Sequence, residues 1–130
     1  MKIKAIDHIT INVKDLETSK KFYETVFGLT FCGYIDMGDH NLTYYQLPGG
    51  VRLELIDFTE KVPAPEHKVT NTGIYRHFCL TVDNLDELYE TCKKYNVNVT
   101  DAPSFIEKLG VRNMLLIDPA GVEVEVFEEA

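Results

Sequence analysis

The chain has 130 residues, 13 basic against 21 acidic, and a formal net charge of −8. That length predicts one domain, or two small modules sharing a core, and an aromatic content of 11% excludes a disordered chain. No apolar run is long enough to span a bilayer, and an acidic chain without a basic stripe repels nucleic acid, which leaves a cation open as a partner.

The first residues, Met1 to Asp7, lack the apolar stretch of a signal peptide. Cys32, Cys79 and Cys92 are an odd number at unrelated spacings, which suits a reducing cytoplasm rather than a disulfide framework. A cytoplasmic protein is therefore expected. Alternation from Ile3 to Val13 predicts a strand. A helix is predicted from Leu16 to Phe27, with Phe22/Val26 and Tyr23/Phe27 one turn apart and Gly28 as its stop. Extended runs follow at 29–37, 42–47 and 51–58, the last two hinged at Pro48-Gly49-Gly50. Residues 59–73 are polar, carry Pro63 and Pro65, and read as a linker. Ile74 to Val82 predicts the next strand. Asn84 and Glu87 form a capping box before a helix whose Leu85, Leu88, Tyr89, Cys92 and Tyr95 share one face. Strands are predicted near 97–100, 111–117 and 122–128, the last two joined by Asp118-Pro119-Ala120-Gly121.

This order repeats. His8-Ile-Thr-Ile-Asn-Val matches His77-Phe-Cys-Leu-Thr-Val, and Pro48-Gly-Gly-Val-Arg-Leu-Glu54 matches Pro119-Ala-Gly-Val-Glu-Val-Glu125. The offsets are 69 for His8 to His77 and 71 for Glu54 to Glu125. The expected organisation is a duplicated strand-helix-three-strand unit, with modules 1–58 and 74–130 in a single α+β domain.

Strand alternation then sorts the side chains. Ile9, Ile11 and Val13 point one way and His8, Thr10 and Asn12 the other; Phe78, Leu80 and Val82 oppose His77 and Cys79. Leu53 and Leu55 oppose Glu54; Val124 and Val126 oppose Glu123 and Glu125. The apolar faces must pack on the helices, so His8, Glu54, His77 and Glu125 occupy the opposite faces. Tyr44 and Tyr45 alternate, one towards that face and the other beneath it. Imidazole and carboxylate together suit a borderline divalent cation. A lone strand histidine is more often simply hydrogen-bonded and a strand glutamate simply solvated; the pairing of His with His and Glu with Glu raises the metal reading to equal standing. Glu123 is an alternative to Glu125, but its equivalent in the first module is Arg52, a poor ligand.

The segments Asp7-His8-Ile-Thr-Ile-Asn-Val-Lys-Asp-Leu16 with Phe22-Tyr23, Leu53-Glu54-Leu55, His77-Phe-Cys-Leu-Thr-Val82 and Asp118-Pro-Ala-Gly-Val-Glu-Val-Glu125 resemble the vicinal oxygen chelate superfamily, the glyoxalase/bleomycin-resistance/extradiol-dioxygenase group. The resemblance implies two βαβββ modules forming a cupped mixed sheet with helices on its outer face, in a homodimer. It implies one divalent ion (Zn, Ni, Co, Mn or Fe) held by His8, Glu54, His77 and Glu125, the two pairs meeting within a chain or across the dimer. It also implies a lyase or isomerase acting on a small molecule with vicinal oxygens through a metal-stabilised enediolate or enolate, with Glu125 or Glu54 moving the proton. Asn12 and Phe58 stand where glyoxalase I-like members place basic or amide side chains for glutathione. Arg52 and Arg112 are cations for an anionic substrate, or plain surface residues.

Rival readings within the resemblance are a methylmalonyl-CoA epimerase-like isomerase, an extradiol dioxygenase, a fosfomycin-resistance-like transferase and a drug-binding protein without catalysis. His40, His67 and the cysteines receive no role.

Overall fold

The computed structural model describes residues 1–129; the last residue of the second module, Ala130, lies outside the described residues. The chain divides into two compact units, Met1–Lys61 and Val62–Ala130.

The first unit runs β1 (His8–Asn12), α1 (Leu16–Thr25), β2 (Thr30–Asp36), β3 (His40–Gln46), a 3₁₀ turn (Pro48–Gly50) and β4 (Arg52–Phe58). The second runs β5 (His77–Val82), α2 (Leu85–Lys94), β6 (Asn98–Ile106), β7 (Val111–Ile117) and β8 (Glu123–Glu128). Each unit is a four-stranded mixed sheet, β1-β4-β3-β2 and β5-β8-β7-β6, with the first and last strands of the unit paired in parallel at one side. Parallel pairing requires a long crossover connection, and here it runs through the helix and the two other strands of each unit. No helix is long and apolar enough to cross a membrane among the described residues.

Capping sets where the helices begin. Asp15 accepts from the Thr18 amide at 2.9 Å, and Asn84 from the Glu87 amide at 3.0 Å. The α2 terminus closes with Asn96 at φ 55°, while the Val97 amide donates to the Cys92 carbonyl at 2.9 Å. Gly28 takes φ 64° after α1. The helices bury Ser19, Phe22 and Tyr23 of α1 and Leu85, Leu88 and Cys92 of α2. The sheets bury Ile11, Tyr45, Leu53 and Leu55 in the first unit and Phe78, Met114, Leu116, Val124 and Val126 in the second. Tyr45 lies beneath its sheet and donates to Glu24 of α1 at 2.7 Å.

Three strands differ by three or more residues at one end from the sequence expectation. β1 starts at His8 rather than Ile3, and β5 at His77 rather than Ile74. A strand exists only where a partner does: β4 starts at Arg52, whose amide reaches the Asp7 carbonyl at 3.1 Å, so Ile3 and Ile6 stay exposed. β6 runs on to Ile106, beyond the expected 97–100, with register shifts on either side of Asp101. Pro103 cannot donate to a ladder, but β6 is an edge strand, where proline is tolerated. Residues 59–76 contain neither helix nor strand.

Candidate functional site

Each unit brings together one imidazole and one glutamate. In the first, β1 and β4 are parallel neighbours with Thr10 opposite Glu54 and His8 opposite Arg52. His8 Nε2 lies 3.7 Å from Glu54 Oε1. Glu54 is buried at 6% exposure, flanked by Leu53 and Leu55 on the opposite face. Burying a carboxylate is costly unless its oxygens are satisfied. Thr10 Oγ1 donates to Glu54 Oε1 at 2.9 Å, and Tyr44 Oη donates to Oε2 in a short bond. The Glu54 carboxylate, and burial after it, hold the Tyr44 phenol above its ordinary range. Tyr44 therefore faces the histidine side and Tyr45 the helix side.

The second unit repeats this arrangement on the same register, with Cys79 opposite Glu125 and His77 opposite Glu123. His77 Nε2 lies 3.5 Å from Glu125 Oε1. Asn113 Nδ2 donates to Glu125 Oε2 at 3.1 Å. Cys79, exposed, stands where Thr10 stands in the first unit, and its closeness to the Glu125 carboxylate helps to hold its thiol above the ordinary range.

Both Nε2 atoms make no hydrogen bond among the described residues; each Nδ1 does. His8 Nδ1 meets Asp7 Oδ2 at 2.7 Å, and Arg52 reaches the same oxygen at 2.8 Å. His77 Nδ1 meets Glu123 Oε1 at 2.9 Å, and Arg76 Nε reaches that oxygen at 3.0 Å. Hydrogen bonds from His8 and then Arg52 hold the Asp7 carboxyl below its usual range. Glu123 thus occupies the far side of the ring from Glu125, and Glu125 is the glutamate that faces Nε2.

Imidazole nitrogen and carboxylate oxygen are the donor types that a borderline divalent cation takes. Two N or O ligands with bonds of about 2.1 Å sit roughly 3.0–3.4 Å apart around one ion. The two Nε2–Oε1 separations, 3.7 and 3.5 Å, lie just beyond that span and too far for a good hydrogen bond. Among the described residues no three His, Cys, Asp or Glu side chains form a metal-ligating group, so the pair is the unit each module provides.

The family model of the Glyoxalase/Bleomycin resistance protein/Dioxygenase superfamily matches residues 5–126. The chain belongs to this superfamily. It is similar to a metallothiol transferase, FosB, of Lysinibacillus sphaericus (strain C3-41), 27% identical over 125 residues, covering 96% of this chain and 82% of that one. Among solved structures it resembles lactoylglutathione lyase from Agrobacterium tumefaciens at 26% identity and a TM-score of 0.67, covering 97% of this chain and 94% of that one. A glyoxylase/bleomycin resistance protein/dioxygenase domain from Frankia sp. EAN1pec superposes with a TM-score of 0.81 at 17% identity, covering 99% and 100% of the two chains.

The remaining residues expected to meet substrate are placed variously. Asn12 is exposed on the His8 face of β1. Phe58 stacks on His40, with ring centres 4.9 Å apart. Arg52 is engaged by Asp7 and lies 4.4 Å from the centre of the Tyr44 ring. Arg112 grips Asp86 of α2 at 2.7 Å and Glu128 of β8 at 3.1 Å. Glu128 also accepts from the Leu85 amide at 2.8 Å, so this cluster ties the start of α2 to its sheet. Sequence reasoning missed Asp7, Arg76, Thr10 and Asn113. The signal for the first two was present: residues 7 and 76, like 52 and 123, are equivalent positions carrying opposite charges.

Proposed function

We propose that this protein is a divalent-metal-dependent lyase or isomerase of the glyoxalase I-like type, with His8, Glu54, His77 and Glu125 together holding one ion. The observation that carries this reading is the repeated pair: an imidazole Nε2 and a glutamate oxygen, mutually oriented at 3.7 and 3.5 Å in the two units. The bound ion, Zn, Ni, Co, Mn or Fe, supplies a Lewis acid for negative charge developing on an oxygen of a substrate with vicinal oxygens. The chain pairs the modules within itself or across a homodimer.

The protein's own groups divide the remaining work. Glu54 is pinned by two hydroxyl donors, Thr10 and Tyr44, and is the positional anchor. Glu125 is held by the Asn113 amide and, on the Thr10 side of the arrangement, by a thiol, Cys79, in place of a hydroxyl, and it is less buried than Glu54, so it is the freer carboxylate. Glu125 therefore takes the proton from the carbon beside the substrate carbonyl and returns it to the neighbouring carbon. Acid–base work of this kind contributes about 10²–10⁴ in rate. Asn12, exposed on the His8 face at the far end of β1, is the residue of that strand assigned to substrate.

The test is turnover of a panel of hemithioacetals, acyl-CoA thioesters and catechols by protein loaded with each metal. The reading expects isomerisation that Glu125→Gln reduces by at least about 10²-fold while metal content is kept. No turnover of any panel member with any metal would contradict it. A second reading, metal-dependent transfer of a thiol, is supported by the 27% identity to a metallothiol transferase. Consumption of a free thiol in step with product distinguishes it from isomerisation.

A further inference from the structure

We infer that Asp7 and Glu123 are positioning residues that fix the tautomer and aim of His8 and His77, and that the two modules achieve this with an ion pair whose charges have been exchanged between strands. The inference rests on the metal reading above for its purpose, but its geometry stands alone.

In the first unit the acid, Asp7, precedes the histidine and the base, Arg52, comes from β4. In the second the base, Arg76, precedes the histidine and the acid, Glu123, comes from β8. The register makes Arg52 and Glu123 equivalent, each directly opposite its histidine. In both units one carboxylate oxygen bridges the imidazole Nδ1 and an arginine. A pair kept only for stability has no reason to recur with its members transposed, and exposed pairs contribute little. What recurs is a carboxylate at Nδ1, whichever strand supplies it.

A carboxylate accepts and does not donate, so Nδ1 carries the proton. Nε2 then presents its lone pair towards Glu54 or Glu125. Without Asp7 or Glu123 each neutral ring has a competing choice: Nε2–H donating to its glutamate, which removes both atoms as ligands. The arginine holds the bridging oxygen on the Nδ1 side and keeps the acid from turning away. Outer carboxylates of this kind commonly change metal affinity by about 10–100-fold when removed.

The experiment reads two quantities. Long-range ¹H–¹⁵N spectra of the metal-free protein, at a pH where the rings are neutral, report each tautomer. Calorimetric titration with Zn²⁺ reports affinity. Wild-type protein is expected to show Nδ1–H at His8 and His77. Glu123→Ala is expected to move His77 alone to Nε2–H, and Asp7→Ala to move His8 alone, each weakening Zn²⁺ binding about 10–100-fold with little change in the melting temperature of the metal-free protein. Asp7→Arg alone should lose affinity, and adding Arg52→Glu, which installs the second unit's arrangement in the first, should restore it. Nε2–H rings in the wild type, or a folded double variant no better than Asp7→Arg, would overturn the inference. If the wild type binds no Zn²⁺, Ni²⁺, Co²⁺, Mn²⁺ or Fe²⁺, the metal function falls and the tautomers alone decide the positioning claim.

Discussion

Cys92 illustrates how one buried side chain couples packing to pH. It sits on the inner face of α2, fully buried, and burial pushes its thiol up to about 11. The unfolded chain releases this proton near its ordinary value of 9, so the folded state binds more protons between the two values. The contribution is complete below pH 9 and is lost as pH rises towards 11. Urea midpoints are therefore expected to fall between pH 8.5 and 10.5 more steeply in the wild type than in Cys92→Ala; equal slopes would refute this. Cys32 is exposed and should react with a thiol reagent in the native state, whereas Cys92 should not. Face assignments at this scale were legible from alternation: Leu53 and Leu55 go to the core, and Glu54 to the other face. What alternation could not convey is that Glu54 would itself be buried, because that depends on Tyr44 and Thr10 arriving from two other strands.

Turns and caps set the register on which those contacts depend. Asp118 Oδ1 accepts from the Ala120 amide at 2.9 Å and the Val122 amide at 2.8 Å, while Gly121 takes φ 91°. The Asp-Pro-x-Gly turn thereby delivers Glu123 and Glu125 opposite His77 and Cys79. Open space surrounds the site of a Gly121 Cβ, so the cost of Gly121→Ala is purely conformational. It is expected to be about 1–2 kcal/mol, read from chemical denaturation. Asn84→Ala, which removes the α2 cap, should cost about 1 kcal/mol by the same measurement. Losses under a few tenths of a kcal/mol in both would remove these residues from the account. Helix starts were readable because Asn84 and Glu87 are local signals. The ends of β1 and β6 were not, since they depend on where β4 begins and on β6 lying at an edge.

Across the whole chain, duplication is the feature that sequence and structure share. The two units have the same strand order and the same pairing of β1 with β4 and β5 with β8, so the near-constant offset in sequence is a true structural repeat. The His–Glu pairs were legible because both members repeat in kind. The Asp7–Arg52 and Arg76–Glu123 pairs were hidden because the repeat keeps an ion pair at the histidine and transposes its charges, which shows only once His8 is seen opposite Arg52 and His77 opposite Glu123. That difference explains why Arg52 read as a free cation in the sequence and is a partner of Asp7 in the fold.

Metal stoichiometry by calorimetry, with elemental analysis of the dialysed protein, tests the four-ligand centre most directly. The account predicts one divalent ion per chain, whether the modules pair within a chain or across a dimer, and loss of that ion in either His8→Ala or His77→Ala. Two ions per chain, or undiminished binding when one of these imidazoles is removed, would contradict it.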